Sequence, residues 1–389
     1  MKNLLILVFL LLSPLHSFSQ NTDPFKVVTW NIEWFGSTQN GPSNTETQIN
    51  NVVQIMDTLR ADVYALQEIV SQDILNQVTD RMEGDYRAFI ADYINQDQKL
   101  AYIYNTATVD SIQAGSIGFF STYNWAGRLP YRFFVQVNKD GYNERVTLVN
   151  IHAKAFSDQT SYDRRVAASN EMYPFLINQS PVRYIFLGDF NDDVIGSTRS
   201  GEESPYKNFV DDNTNFNVLT TGLSQAGAFT YSNSSGTLRS MLDHIVINKP
   251  LFDFYIDQSI TIHQPAYISS YLSTTSDHFP VKALFDFNQT PTSISENFDE
   301  LPSSVTLEQN FPNPFNPTTI IRYQLNEALD VQLDVFDMLG RKVATLVNGR
   351  VSAGSHEAQF DASNLSTGMY IYRLQAGGKV FTRQMMLIK

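Results

Sequence analysis

Six short apolar runs within residues 25–287 are each bounded by a carboxylate, an amide or an imidazole. Residues 27–30 run into Asn31, 63–66 into Gln67 and Glu68, 146–151 into His152, and 184–187 into Gly188, Asp189, Phe190 and Asn191. Leu242 is followed by Asp243 and His244, and Asp277 and His278 stand just before the run at 281–285. A charged or amide side chain at the end of a buried strand is costly unless it finds partners. Six such ends in one chain imply that the partners are one another. The chain must then fold with its strands side by side and these ends on one rim.

Between 25 and 287, short β-branched and aromatic runs alternate with amphipathic stretches, the texture of an α/β chain. Strands are expected at 26–30, 63–66, 100–104, 132–137, 146–151, 184–187, 242–247 and 281–285, and helices at 47–59, 71–80 and 164–177. Residues 288–304, rich in Pro, Ser, Thr and acidic residues and without periodicity, read as a linker. Alternating segments at 318–325, 331–337, 342–347, 355–361, 368–375 and 379–387 then suggest a small β-sandwich domain over 305–389. At the other end, Lys2, an apolar run over 4–12 and the stretch Ser17-Phe18-Ser19 have the order of a secretory signal peptide over 1–20. It is too short for a permanent anchor, and no later segment is apolar for long enough to span a membrane.

An exported chain with no cysteine has no disulfide framework, no thiolate zinc site and no cysteine nucleophile. The formal net charge of −13 falls mainly in the large N-terminal part. So acidic a chain gains little from long-range attraction to a polyanion, and a phosphate substrate must be met by metal ions and a few local arginines. A passive nucleic-acid-binding module is disfavoured, because its basic footprint is missing. A metal-dependent hydrolase is not, since carboxylates that hold metal ions are neutralised on loading. Magnesium takes hard oxygen ligands and leaves room for a substrate phosphate. Asn31, Glu68 and Asp277 fit that role, and Asp189 with Asn191 fits either a second metal or the attacking water. His278 is suited to take a proton from water with Asp243 holding its tautomer, and His152 with Asn191 to stabilise phosphoryl charge.

The strings VVTWNIEWFG, ALQEI, LVNIHAKAF, IFLGDFND, LDHIVI and SDHFPV resemble, in order, the motifs of the deoxyribonuclease I-like endonuclease/exonuclease/phosphatase superfamily over about 25–287. The resemblance implies a four-layer α/β sandwich of two packed mixed β-sheets flanked by helices, within a domain spanning 21–287. It implies metal-assisted hydrolysis of phosphate esters, with magnesium, or manganese or calcium in its place, held by Asn31, Glu68 and Asp277. It further implies that Asp189 and Asn191 position nucleophile and phosphate, that Asp243 and His278 form an acid–base pair, and that His152 is a second catalytic histidine. Arg128, in GRLPY, resembles more loosely an arginine that some nuclease members keep near the substrate. The segments LEQNFPNPFNPTTIIRYQL, VFDMLGRKVATLV, GMYIYRLQAGG and QMMLIK resemble the type A sorting domain of the type IX secretion system, an all-β, Ig-like sandwich. That resemblance makes the secretion machinery a partner and places the protein outside the cell or on its surface.

Taken singly, these residues have plainer readings. Asn31 would cap a turn, Glu68 would precede a helix, and Asp189 with Asn191 would form an Asx-turn; their joint occurrence in family order reverses those readings. His244 points to the opposite face from Asp243 and reads as structural, Asp192 and Asp193 as a solvated turn, and Trp30, Trp34 and Phe35 as core. Arg164 and Arg165 fit phosphate steering or ion pairing equally. The expected function is an exported endonuclease acting on DNA or RNA as a monomer. The alternative is a phosphoesterase for a lipid head group or small ester, with selecting loops at 36–47, 111–127 and 196–240.

Overall fold

The computed structural model describes residues 23–118, 120–177, 182–288, 305–307, 310, 312–325, 328–352 and 354–388. The expected signal peptide and nearly all of the expected linker lie outside the described residues.

In chain order, the N-terminal strands are β1 (Phe25–Phe35), β2 (Val63–Ile69), β3 (Tyr86–Ile90), β4 (Lys99–Asn105), β5 (Val109–Ser116), β6 (Tyr131–Lys139) and β7 (Tyr142–His152). They continue with β8 (Tyr184–Asp189), β9 (Phe216–Val218), β10 (Tyr231–Ser232), β11 (Arg239–Ser240), β12 (Asp243–Asn248), β13 (Thr261–Ile262) and β14 (Val281–Phe285). One six-stranded sheet runs β13-β14-β1-β2-β4-β3 and the other β5-β6-β7-β8-β12-β9, with β10-β11 as a separate hairpin. The pairs β1–β2 and β7–β8 are parallel and their neighbours antiparallel, so both sheets are mixed. Each parallel pair needs a crossover, and helices α1 (Thr45–Leu59) and α3 (Gln159–Ile177) supply it; α2 (Gln72–Thr79) follows β2.

Side-chain parity makes the layers. Val27, Val63, Ala65, Val135, Leu148, Leu187, Ile245 and Val281 point between the sheets and form the central core. The opposite faces of β1 and β2 offer Val28, Trp30, Tyr64 and Leu66 to Ile49, Val52 and Ile55 of α1 and Leu75 and Val78 of α2. Val149, Ile151, Phe186 and Val246 meet Ala168, Met172 and Phe175 of α3 in the same way. Helices, sheet, sheet and helices are the four layers expected from the sequence.

Toward the rim the inward positions change character. Thr29, Gln67 and Asn150 are buried, and Gln67 Nε2 donates to Thr29 Oγ1 (3.1 Å) and Asn150 Oδ1 (2.7 Å) while Asn150 Nδ2 donates to Leu66 O (2.9 Å). This belt ties the sheets together just below the next inward positions, Asn31, His152, Asp189 and Asp243.

The helix starts follow local capping. The Asn44 side chain accepts from Thr47 N at 2.9 Å, which starts α1 at Thr45 rather than at 47. Asp158 accepts from Ser161 N at 3.0 Å and from its hydroxyl at 2.6 Å, and α3 begins five residues before the expected start at 164. Part of the expected loop at 111–127 is the edge strand β5, whose exposed, non-alternating residues hid it.

The C-terminal region is all-β. One sheet holds Thr306–Leu307, Thr318–Leu325 and Gly354–Asp361, and the other Lys342–Val351, Leu329–Asp337, Gly368–Ala376 and Lys379–Leu387. Ile321, Tyr323, Leu333, Val335, Phe360, Tyr372, Leu374 and Leu387 form its core. No helix among the described residues is long and apolar enough to cross a membrane.

Candidate active site

The sheet register sets the site. Across the second sheet, His152 stands opposite Asp189 and Asp189 opposite Asp243, three neighbouring strands each giving one polar side chain to the same rim. Asn31 comes from the facing end of β1, and Asp277 and His278 from the segment leading into β14. Glu68 follows Gln67, so parity alone would turn it away. Its backbone takes φ +64° where the pairing of β2 shifts, and the bulge brings its carboxylate in. Gly188 has φ +141°, and a Cβ there would lie 2.1 Å from Ile151 O, so the close approach of β7 to β8 at the site requires glycine.

Asp189 is the hub. Its Oδ2 accepts from Asn31 Nδ2 at 2.9 Å and lies 3.6 Å from His152 Nε2 and 3.8 Å from His278 Nε2, while its Oδ1 accepts from Asn191 N at 2.8 Å. Asn31 Nδ2 also reaches Glu68 Oε1 at 3.2 Å, and Trp34 N donates to Glu68 Oε2 at 3.0 Å. His278 Nδ1 bonds Asp243 Oδ2 at 2.7 Å, and its Nε2 lies 4.0 Å from Asp277 Oδ1. Asn191, at φ +51°, turns its amide to donate to Ala153 O at 3.1 Å. The oxygens Asn31 Oδ1 and Asp243 Oδ1 and the nitrogen His152 Nδ1 are buried with no hydrogen-bond partner in the protein.

Burial and crowding set the charges. Burial, then the Asp243 charge, pushes Asp189 up to about 7 despite His278 and the hydrogen bond from Asn31. Burial, then Glu68, raises Asp277. Burial, then Asp277 and Glu68, pushes Glu33 up to about 7. Burial also opposes protonation of His278, yet Asp243, Asp189 and Asp277 together outweigh it and hold the imidazole well above its ordinary value. His152 goes the other way, held neutral by burial and by the Arg128 and His278 charges.

All eight core residues expected at the site therefore converge. Arg128 is placed differently: it is 7% exposed, and its guanidinium donates to His152 O (3.2 Å) and Ala153 O (3.3 Å), bracing the strand end from behind. Asp192 is no solvated turn, because it is fully buried in an ion pair with Arg165 at 2.8 Å. His244 lies on the far face as expected, bonded to Thr220 Oγ1 at 2.7 Å and near Asp192 O.

Sequence reasoning missed two contributors. Glu33 shares the parity of Asn31, a signal that was there to be read. Ser276 opens the SDHFPV string but was given no role: its hydroxyl donates to Asn31 O (2.8 Å) and accepts from Glu33 N (3.2 Å) and His278 N (3.0 Å), joining β1 to the His278 loop.

The donor set suits a hard divalent cation. Carboxylates whose proton affinity is raised by burial and by one another, with an orphaned buried amide oxygen beside them, gain from a cation that neutralises the crowding. One atom each of Asp189, Asp243 and His278 also lie within 4.8 Å of one another.

A family model described as the endonuclease/exonuclease/phosphatase family matches residues 28–278, and one described as the secretion system C-terminal sorting domain matches 309–389. No curated protein sequence matches the chain. Among solved structures, D. rerio TDP2 complexed with single strand DNA product is similar at 15% identity and TM-score 0.51, covering 67% of this chain and 98% of that one. The human Nocturnin catalytic domain with bound sulfate anion is similar at 16% identity and TM-score 0.46, covering 68% and 94%. An endonuclease/exonuclease/phosphatase family protein from Bacteroides thetaiotaomicron gives 15% identity and TM-score 0.48, covering 68% and 98%. The tail implies export through the type IX machinery to the cell surface or the medium. With a family model spanning more than half of its length over this fold, the chain belongs to the endonuclease/exonuclease/phosphatase family of phosphoesterases.

Proposed function

We propose that the protein is a secreted, divalent-cation-dependent phosphodiesterase whose substrate is nucleic acid, DNA or RNA. The observation that carries this is the convergence on Asp189 Oδ2 of Asn31 at 2.9 Å, His152 at 3.6 Å and His278 at 3.8 Å, with Asp243 behind His278 at 2.7 Å. Asn31, through its free Oδ1, Glu68 and Asp277 would hold the cation, magnesium or in its place manganese or calcium. When bound, that ion supplies charge stabilisation to the phosphoryl oxygens.

The competing cluster of Asp189, Asp243 and His278 is the weaker cation shell, since the Nδ1 of His278 and Oδ2 of Asp243 are already spent on one another. Its geometry fits acid–base work. Asp243 fixes the imidazole so that Nε2 faces the cleft, and the neutral fraction of His278, which grows with pH, takes the proton of the attacking water there. Asp189 and Asn191 orient that water and the phosphate. Neutral His152 donates through Nε2 to a phosphoryl or leaving oxygen.

The nucleic-acid reading is supported by the family match and by the D. rerio neighbour, which was solved with a single strand DNA product. The test is hydrolysis of plasmid DNA and of RNA with magnesium, manganese or calcium, beside His278→Ala. Cation-dependent cleavage that the variant loses supports the assignment. Hydrolysis of sphingomyelin or inositol phosphates with no action on either polynucleotide would replace it.

A further inference from the structure

Phe156 is 74% exposed and holds φ +80°, a backbone state that a bulky residue keeps only when its surroundings enforce it. Arg165 enforces it. This fully buried side chain donates from Nη1 to Lys154 O and to Phe156 O, both at 2.7 Å, and its charge is met by Asp192 Oδ2 at 2.9 Å from Nε. Arg199 Nη1 adds a bond to Ser157 O at 3.2 Å. The ring is therefore held outward, with Lys154 Nζ 4.5 Å from its centroid.

A second ring is displayed in the same manner. Tyr123 is 60% exposed, with the Arg164 guanidinium 4.4 Å over its face and Arg164 Nε donating to its carbonyl at 2.8 Å. Glu171 pins that loop by accepting from Ser121 N (3.2 Å), Asn124 Nδ2 (2.7 Å) and Trp125 Nε1 (2.9 Å). Arg164, Arg165 and Glu171 all belong to α3, so one helix braces both loops. Both loops adjoin the catalytic rim, because Lys154 lies two residues beyond His152 and Arg128 bonds His152 O.

Each ring has a cation over one face and belongs to a largely exposed residue, an arrangement suited to stacking a base and neutralising the phosphate beside it. Lys154, Arg164 and Arg128 crowd one another enough that burial and these neighbours lower Lys154, in a chain whose net charge is −13. An anion relieves that crowding. Bases inside a duplex do not present their faces, so such rings serve a strand whose bases are unpaired.

We propose that the Phe156 and Tyr123 loops, braced by α3, form a stacking platform for the unpaired polynucleotide strand flanking the scissile phosphodiester. This rests on the nucleic-acid reading above. The test compares kcat/KM of the full chain, with manganese, on a single-stranded oligonucleotide of about a dozen nucleotides and on a dinucleotide. The wild type, Phe156→Ala, the Phe156→Ala/Tyr123→Ala pair and Phe156→Trp are measured, with thermal melts to show that each is folded. We expect the preference for the longer substrate to fall about tenfold in the double variant and to be kept in Phe156→Trp, as stacking predicts. A wild type that cleaves polynucleotides with a preference the double variant leaves unchanged overturns the platform alone. A wild type that cleaves no polynucleotide overturns the nucleic-acid reading itself. Loss of binding to phosphatidylserine vesicles in the double variant, with the length preference unchanged, assigns the rings to a membrane instead.

Discussion

Asp243 sits beside Asp189 across β8 and β12, and it is the carboxylate that His278 Nδ1 meets at 2.7 Å. Asp243→Asn keeps the volume and removes the charge that favours the imidazolium. Turnover is expected to fall about a hundredfold, the scale of general acid–base catalysis, with cation affinity within about threefold by titration calorimetry. The acidic limb of the pH–rate profile should move to lower pH, because Asp243 is the foremost of the carboxylates that raise His278 against burial. Equal losses of turnover and affinity would contradict this role. The carboxylates make a second prediction. Asp189 and Glu33, both pushed up to about 7, and Asp277, also raised, bind protons more tightly in the folded protein than in the unfolded chain. That stability is fully present below the unfolded values near about 4 and is lost as pH rises toward 7. A cation that replaces the protons should therefore raise the melting temperature more at pH 8 than at pH 5. A larger gain at pH 5 would contradict the crowding that underlies the site.

At the scale of elements, the buried Arg165–Asp192 pair joins the start of α3 to the loops after β7 and β8. Arg165→Ala leaves Asp192 buried and unpaired, and denaturant melts should show a loss of about 3–5 kcal/mol. Adding Asp192→Ala should cost less than the sum of the single changes; strict additivity would mean that the pair does not act as a unit. The core strands were legible in the sequence because each alternates or runs apolar between polar ends, and every expected strand is present. That pattern by itself reads only as an α/β chain; the four layers were expected from the family resemblance. β5 was not legible, since five successive exposed residues on an edge carry no period. Nor was the orientation of Glu68, where parity favours Gln67 and only the left-handed backbone reverses it. The role of Ser276 was hidden for a related reason, because its bonds to Asn31, Glu33 and His278 join distant stretches of chain.

For the whole molecule, under the proposed reading, an acidic cleft and a basic, aromatic shoulder divide the work that a uniformly basic surface does in a passive binder. On the proposed function, that division would let a chain of net charge −13 act on a polyanion: cations would fill the cleft, with Lys154 and Arg164 beside it. The sorting domain at 309–389 has its own core, and none of its described side chains reaches the candidate site. Cells producing the chain without 309–389 should retain it within the envelope, whereas the full chain reaches the surface or medium; export of the truncated chain would detach the domain from sorting. The proposed chemistry depends on a cation seated among Asn31, Glu68 and Asp277. The direct measurement is an anomalous difference map from crystals soaked in manganese and a nucleoside monophosphate. A peak within ligand distance of those three residues, about 2.0–2.6 Å, with phosphate oxygen beside it, is the predicted result. A peak held instead by Asp189, Asp243 and His278, or none, would contradict the account.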